Sequence, residues 1–559
     1  MKPIILLLLV TLSFSLVFCG EYSYVVEPSD YNQPRSQCEV STQYNNQVVC
    51  PTMVSAVAYF NSNTLGMIPK DLDLILLLVD GSYMESSFGV QGLPLPQINS
   101  FTMQPLNGTN GKVVVTGKLN VLFKIPVNSS NLISFKVKSI QFKDITPKSL
   151  DFKLYNLISS NGILTHVFDN CLFENIDANS PSDSGMIFIQ SNERHGTLTI
   201  QNSKFINFTG NPIHVQRFYI SLNSVVFSNV SAPIRSYDSR FSTSNVYMNT
   251  SAGIEIWDSN ATIYKSVFEK NKEHILFSIN ETQYNVNTLV WNSTFKENNS
   301  PTVGGAISFT TSDDKYNKFM LFRVLNSTFI ENSATNVNNN GTGGAIFFSS
   351  SSGVVDFCEF QGNYADTLGG TIMLNNTNVN ITSSIFINNQ PNSQSKYMAA
   401  IYADKGTILS VENGSIQVFD STPGAGLNCS LLSSVEMTNT KVLLPFENPN
   451  NNCYWVVNQT GCILQSNLAE MCSHIPEQSS SNSESSISSS DNSQSTTTTS
   501  TTTSSTTSTG PTTSTETSTT TSSITPEPEP SSSQSINRNT MSLLLTIVSS
   551  LSFTFYFVL

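Results

Sequence analysis

The stretch that decides the fold opens with STFIEN at residues 327–332 and closes with GGAI at residues 343–346. Both phrases recur. The first reads FxxN at Phe268–Asn271, Phe295–Asn298, Phe329–Asn332, Phe360–Asn363 and Phe386–Asn389. Ser or Cys stands two residues before each Phe: Ser266, Ser293, Ser327, Cys358 and Ser384. The second phrase is GG[AT]I, at Gly304-Gly305, Gly343-Gly344 and Gly369-Gly370, with a decayed copy at Ala399-Ala400-Ile401. Gly185 and Gly253 hold the same slot upstream. Strict copies lie 26 to 34 residues apart, the period of a solenoid. Looser copies place Phe at 142, 173, 205 and 227, with Asn175, Asn207 and Asn229 two residues after the last three.

These phrases predict an all-β chain folded as a right-handed parallel β-helix. Alternating residues of a strand share a face. Phe and the small residue two before it therefore point inward together, and Phe stacks on Phe from coil to coil. The Asn closes the strand at a bend, where left-handed geometry suits it and ladders with its neighbours can form. The glycine pair supplies positive φ and close backbone approach at a corner. Each coil covers the next, so few charges are needed, and only the two ends require caps.

FxxN paired with GGA[ILVY] resembles the repeats of the polymorphic membrane protein family of chlamydiae, best over residues 268–402. That resemblance implies a β-helix stem and a role in surface adhesion. Leu74 to Val79 followed by Asp80-Gly81-Ser82-Tyr83 is similar to the strand-and-turn opening of pectin-lyase-like β-helices. The chain departs from the first family at its C-terminus, where it has a Ser/Thr stalk in place of an outer-membrane barrel.

The two ends read as processing segments. Lys2 and the apolar run to Phe18 read as a signal peptide over residues 1–19. Residues 20–70 form an N-terminal cap, with Thr52 to Phe60 as a short helix or strand, and the β-helix spans 71–445. A Cys-rich cap follows at 446–476. Residues 477–532 are rich in Ser, Thr and Pro, and almost only Ser and Thr from Ser479 to Ser523, which cannot bury a core and reads as a disordered, O-glycosylated stalk. At about 3.1 Å per residue it reaches on the order of 170 Å when fully extended. Residues 533–559 combine a polar spacer with an apolar tail, the grammar of a GPI signal, with Ser531, Ser532 and Ser533 as attachment candidates. A C-terminal transmembrane helix is the alternative; against it, no Lys or Arg follows the tail and serines interrupt it.

Cysteine use agrees with export. Cys38, Cys50, Cys429, Cys453, Cys462 and Cys472 cluster at the ends as disulfide candidates of open connectivity. Cys171 and Cys358 share an inward phase several coils apart, too far to bridge. N-glycosylation sequons fall at Asn107, Asn128, Asn207, Asn229, Asn249, Asn260, Asn280, Asn292, Asn298, Asn326, Asn340, Asn375, Asn380, Asn413, Asn428 and Asn458.

Charge sets the function classes. The 559 residues carry a formal charge of −13 and are only 12% charged, against about 25% in ordinary domains. No basic run exists to neutralise phosphates, which excludes nucleic acid as partner. A mean hydropathy of −0.08 excludes a multi-span membrane protein. Catalysis on a polysaccharide would need paired carboxylates. Asp313-Asp314 is the only adjacent acidic pair in the array, and it reads as a solvated loop. His195 reads as a turn residue, and no P-loop, HExxH, GxSxG or EF-hand phrase occurs. No catalytic residue, metal site or cofactor is expected. The expected partners are a membrane, through a lipid anchor, and an unidentified surface glycan or protein. The sequence thus points to a GPI-anchored surface glycoprotein in adhesion or recognition. The alternatives are a polysaccharide lyase or hydrolase of the same fold and a passive coat protein.

Overall fold

The computed structural model describes most of residues 20–474. Outside the described residues lie 1–19, 30–34, 125–133, 147–152, 159–164, 178–185, 191–195, 280–285, 313–319, 392–398, 418–425, 445–455, 467–471, 475–559 and a few shorter gaps. The chain divides at Ser479, and every described element belongs to the first unit.

That unit is a right-handed parallel β-helix with three long sheets, here A, B and C. One coil shows the plan: Phe218–Asn223 lies in sheet A, Val226–Val230 in B and Ile234–Tyr237 in C. The next coil repeats it with Arg240–Ser244, Tyr247–Asn249 and Ile254–Trp257. Pairing is parallel and in register: Tyr219 faces Arg240, Phe227 faces Met248 and Ile234 faces Ile254. A fourth, short sheet joins Asn299–Ser300, Ser333–Ala334, Tyr364–Ala365 and Gln390–Pro391. Inward residues alternate along each strand, as in Leu72–Leu78, where Leu72, Leu74, Leu76 and Leu78 are buried.

Three inward columns hold the array together. The first is aromatic. Phe142, Phe173, Phe205 and Phe227 stack with centroids 5.0, 4.5 and 4.8 Å apart. Met248 interrupts, and Phe268, Phe295, Phe329, Phe360 and Phe386 resume at 4.8 to 5.1 Å. Each stacked pair adds about 0.5–1.5 kcal/mol beyond its buried area.

The second column is the small residue before the Phe. The turn from A to B is made by one residue at positive φ, among them Asn170, Asn202, Asn245, Asn292, Asn326 and Asn413 at 46–54°. A small buried residue follows it. Ser266 Oγ accepts the Val246 N–H at 3.3 Å and donates to the Tyr264 carbonyl at 2.9 Å, and Ser293 and Ser327 repeat the pattern.

The third column is the Asn of FxxN. Asn271, Asn298, Asn332, Asn363 and Asn389 are buried, and each of the first four amides donates to the next Oδ1 at 2.8–3.0 Å. That same Oδ1 accepts the backbone N–H of the preceding Asn, at 2.9–3.2 Å. The ladder is as expected, but the left-handed residue is not the Asn. It is the one before: Lys270, Glu297, Glu331, Gly362 and Asn388, at φ 50–62°. The Asn must stay extended because its side chain points inward and replaces a strand partner for the neighbouring coil. In the earlier coils this column holds Ile145, Ile176, Phe208 and Val230, and there Asp144, Asn175, Asn207 and Asn229 take the left-handed position.

Both glycines answer to space, and the first also to backbone conformation. Gly304, Gly343 and Gly369 have φ of 58–68°, and a Cβ there would stand 2.1–2.5 Å from the carbonyl oxygens of Ile307, Ile346 and Ile372. In Gly305 and Gly344 the requirement is space: a Cβ on Gly344 would stand 2.0 Å from the Gly370 carbonyl oxygen and 2.4 Å from that of Tyr364.

The first coil begins before residue 71. Gly20–Val26 pairs residue for residue with Leu72–Leu78 and is the first rung of sheet A. Gln47–Cys50 adds to its other edge in parallel, and Glu39–Ser41 then pairs antiparallel. The helix Met53–Asn63, opened by a capping box on Thr52, buries Met53, Ala56, Val57 and Phe60 against this end. Thr52 to Phe60 is thus helical from Met53. The Cys38–Cys50 disulfide ties the cap. At the far end Cys429 bonds Cys462. Ile463–Ser466 and Cys472–His474 still pair into sheets A and B, so coils continue into the segment taken as a Cys-rich cap. Cys453 lies outside the described residues. Cys171 and Cys358 are free and buried, and burial pushes each thiol up to about 12.

Candidate functional site

With the inward columns committed to packing, chemistry must sit on outward columns. Sheet A carries the clearest candidate. Four successive strands, Gly196–Gln201, Phe218–Asn223, Arg240–Ser244 and Asn260–Tyr264, line a shallow groove of about 360 Å³. One outward column reads Thr197, Tyr219, Arg240, Asn260 and the next Thr199, Ser221, Ser242, Thr262. The guanidinium of Arg240 lies 5.1 Å from the Tyr219 ring centroid. Asn260 Oδ1 accepts the Asn287 N–H at 2.8 Å, which fixes its amide.

A third outward column flanks the groove. Tyr264 and Trp291 pair in register with centroids 4.9 Å apart, and Lys265 Nζ stands 5.1 Å from the Tyr264 centroid. Trp291 is 45% exposed, a large apolar ring offered to solvent beside rows of hydroxyls. Arg323 stands one strand beyond, paired with Leu289, and its Nε has no hydrogen-bond partner.

Sheet C carries the second candidate. His214, Arg235 and Glu255 follow one outward column, and Tyr237 and Trp257 the next, stacked at 6.1 Å. Arg235 Nε bonds Glu255 at 2.9 Å. Glu273 precedes the neighbouring strand Ile275–Ile279. Partial desolvation and the Glu255 charge raise its carboxyl above the ordinary value.

The other expected positions scatter. Asp313, Asp314 and His195 lie outside the described residues. His166 is fully buried with Nδ1 3.2 Å from the Thr197 carbonyl, and His274 Nδ1 is 2.8 Å from Ser300 Oγ. Burial lowers both rings to about 4. Among the described residues no three His, Cys, Asp or Glu side chains group to hold a metal, and no helix is long and apolar enough to cross a membrane.

Sequons divide by exposure. Asn107, Asn207, Asn229, Asn292, Asn326, Asn340, Asn380 and Asn413 are exposed, and Asn249, Asn260 and Asn375 half-buried. Asn298 and Asn428 are only 2% and 3% exposed. These two cannot carry a glycan in the folded chain: the Asn298 carboxamide is a rung of the ladder, and Asn428 lies under the surface of sheet C. Asn128, Asn280, Ser531, Ser532 and Ser533 lie outside the described residues, as does the side chain of Asn458.

Reading the sequence for repeats missed Tyr219, Arg240, Tyr264, Trp291 and Arg323, because outward columns do not repeat. One signal was present. Aligning the copies on FxxN puts Tyr264 and Trp291 at the same offset, two before Ser266 and Ser293, where later copies have Leu325, Asp356 and Thr382.

No protein-family model matches this chain, and no curated protein matches it. Among solved structures it is similar to PfbA, a surface adhesin of Streptococcus pneumoniae, at 10% identity and TM-score 0.30, over 74% of this chain and 95% of that one. It is also similar to the catalytic unit of a GH87 α-1,3-glucanase from Streptomyces thermodiastaticus, at 12% identity and TM-score 0.28, over 73% and 69%. Likenesses this slight carry no weight for the site. The parallel β-helix rests on the strand pairing itself.

Proposed function

We propose that this chain is a cell-surface glycoprotein whose β-helix recognises glycans through the outer face of sheet A. The single observation that carries the reading is the groove between Thr197 and Thr262, flanked by Tyr264 and the exposed ring of Trp291. An exposed aromatic ring beside fixed hydroxyls, an amide and a guanidinium is the surface a sugar needs. The ring face covers the sugar's C–H face, and the polar groups meet its hydroxyls. Repeats of the polymorphic membrane protein type, a signal peptide ahead of Gly20, a Ser/Thr stalk and a GPI anchor complete the proposal. The test is a glycan array probed with the full chain and with Tyr219→Ala/Trp291→Ala. Binding that the double variant loses supports the reading, and an array with no hits overturns it. Release from cells by a GPI-cleaving phospholipase tests the anchor.

A second reading is favoured by Glu255 and Glu273. Burial and the Glu255 charge raise the Glu273 carboxyl, and Glu255 is ion-paired with Arg235; two neighbouring carboxylates in unlike surroundings are the ingredients of acid–base hydrolysis of a glycoside. Release of reducing ends from a polysaccharide panel, abolished in Glu273→Gln, would establish it.

A further inference from the structure

We propose that the sheet A face selects acidic oligosaccharides, with Arg240, Lys265 and Arg323 meeting their carboxylate or sulfate groups. This rests on the reading of that face as a glycan-binding surface. The argument is one of charge.

Acidic residues outnumber basic ones, 40 to 27, so an arginine, with its fork of donors, is expected to find a carboxylate on this surface. Elsewhere the described arginines do: Arg35 pairs with Glu27 and Glu39, Arg217 with Asp238 and Arg235 with Glu255. Arg240 and Arg323 have no carboxylate partner among the described residues, and neither has Lys265.

Among the described residues, carboxylates are missing from the outward columns of six successive strands of this face. Sheet A runs from Gly196–Gln201 through Phe218–Asn223, Arg240–Ser244, Asn260–Tyr264 and Val286–Trp291 to Met320–Leu325. The outward column ending at Leu325 reads Gln201, Asn223, Ser244, Tyr264, Trp291 and Leu325. Carboxylates return at once on either side: Asp169 faces Gln201, and Asp356 faces Leu325. The other two outward columns of these strands are free of Asp and Glu as well.

Geometry fixes how a ligand would lie. Arg240 and Arg323 are three strands apart, about 14 Å at the usual spacing. The hydroxyl row Thr199, Ser221, Ser242, Thr262 runs along the same axis. A linear oligosaccharide laid along the solenoid axis follows this row past Leu289 to Arg323, which ends the same column, and passes Arg240 in the neighbouring column. Tyr219 and Tyr264 hold Arg240 and Lys265 by their ring faces. That orients each cation while leaving its donors open to an anion.

The test uses the full chain secreted to a bacterial periplasm, where the Asn260 sequon stays bare. The probes are immobilised hexagalacturonate, sialyllactose and a heparan sulfate hexamer. Each is set against a neutral counterpart: the methyl ester, lactose and the desulfated chain. At least one acidic probe should bind more than tenfold tighter than its counterpart. The margin should shrink more than tenfold between 0.05 and 0.5 M salt, and in Arg240→Gln/Lys265→Gln/Arg323→Gln. Because these side chains pack no core, Arg240→Gln alone should show the same direction if the triple variant folds poorly. Neutral probes bound as tightly as acidic ones, with loss in Trp291→Ala, would overturn the charge selection and leave glycan recognition standing. No binding to any probe would overturn both.

Discussion

Replacing Asn298 by Ala removes one rung from the middle of the amide ladder. Asn298 Oδ1 accepts the Asn271 backbone N–H at 3.0 Å and the Asn271 amide at 2.9 Å. Its own amide donates to the Phe268 carbonyl at 2.9 Å and to Asn332 Oδ1 at 2.8 Å. Asn332 Oδ1 keeps a second donor in the Asn298 backbone N–H. The variant therefore strands chiefly two donors of Asn271, in a buried site. Each stranded donor costs about 1–3 kcal/mol, so the loss is about 4 kcal/mol. In a solenoid the damage falls on neighbouring coils first. Hydrogen exchange of amides in the coils around Asn271 should accelerate by about three decades, at roughly 1.4 kcal/mol per decade. The control is Asn299→Ala next door, whose amide is exposed and meets only Thr335 Oγ1. It should cost under about 0.5 kcal/mol. Equal exchange rates in the two variants would refute the ladder as a source of stability. Asn298→Asp sharpens the test. It keeps the acceptor but sets a second oxygen against the Phe268 carbonyl and Asn332 Oδ1, so only the protonated acid fits. Its folded pKa must then lie above the unfolded value. The variant should be most stable below about pH 4 and weaken as pH rises through the folded pKa.

Four further outcomes follow. His166 and His274 are held at about 4 by burial, below the unfolded value of about 6.5. The unfolded chain binds their protons first, so their stabilisation is whole above about 6.5 and is lost as pH falls toward 4. The loss is about 3 kcal/mol each, and denaturant titration at pH 7 and 4.5 should show it, reduced in His166→Phe. Cys171 and Cys358 should resist maleimide in the native protein and react once it unfolds, read by peptide mass spectrometry; native labelling would contradict their burial. Gly344→Ala should abolish secretion, because its Cβ meets two carbonyl oxygens. Gly343→Asn should be lost as well, although Asn accepts positive φ, because its Cβ would stand 2.5 Å from the Ile346 carbonyl oxygen; secretion of either variant at the parent level would contradict the close backbone approach.

The Phe column was legible because a rigid inward column forces the same residue at the same offset in every coil. The left-handed position was misplaced for a related reason. Asn suits both a left-handed turn and an inward amide ladder, and FxxN and FxN use it for different tasks one residue apart. Only the early coils, where Ile176 and Asn175 separate the two tasks, distinguish them. The first rung was hidden by distance. Gly20–Val26 pairs with Leu72–Leu78 across a hairpin and a helix inserted between them, and no repeat phrase marks it. The groove was least legible, since outward residues need not match the coil above and so leave no repeat.

That difference explains why one face can carry a site at all. The inward column after the sheet B strands switches from aliphatic at Val230, through Ser251, to Asn from Asn271 onward, in the same coils whose sheet A strands line the groove. The outward residues of those strands do not change class at the switch: hydroxyls run unbroken from Thr199 to Thr262. Packing and surface therefore vary independently along the same coils. An outward substitution such as Arg240→Gln leaves every inward column in place, whereas an inward one such as Asn298→Ala is felt through its neighbours. The missing carboxylates are then hard to assign to folding. Asp169 and Asp356 occupy the same outward column one strand to either side, so the fold admits acids there. Their absence over six strands on which Arg240 and Arg323 have no carboxylate partner is a property of the surface, and it is the property that the proposed selection of acidic oligosaccharides requires.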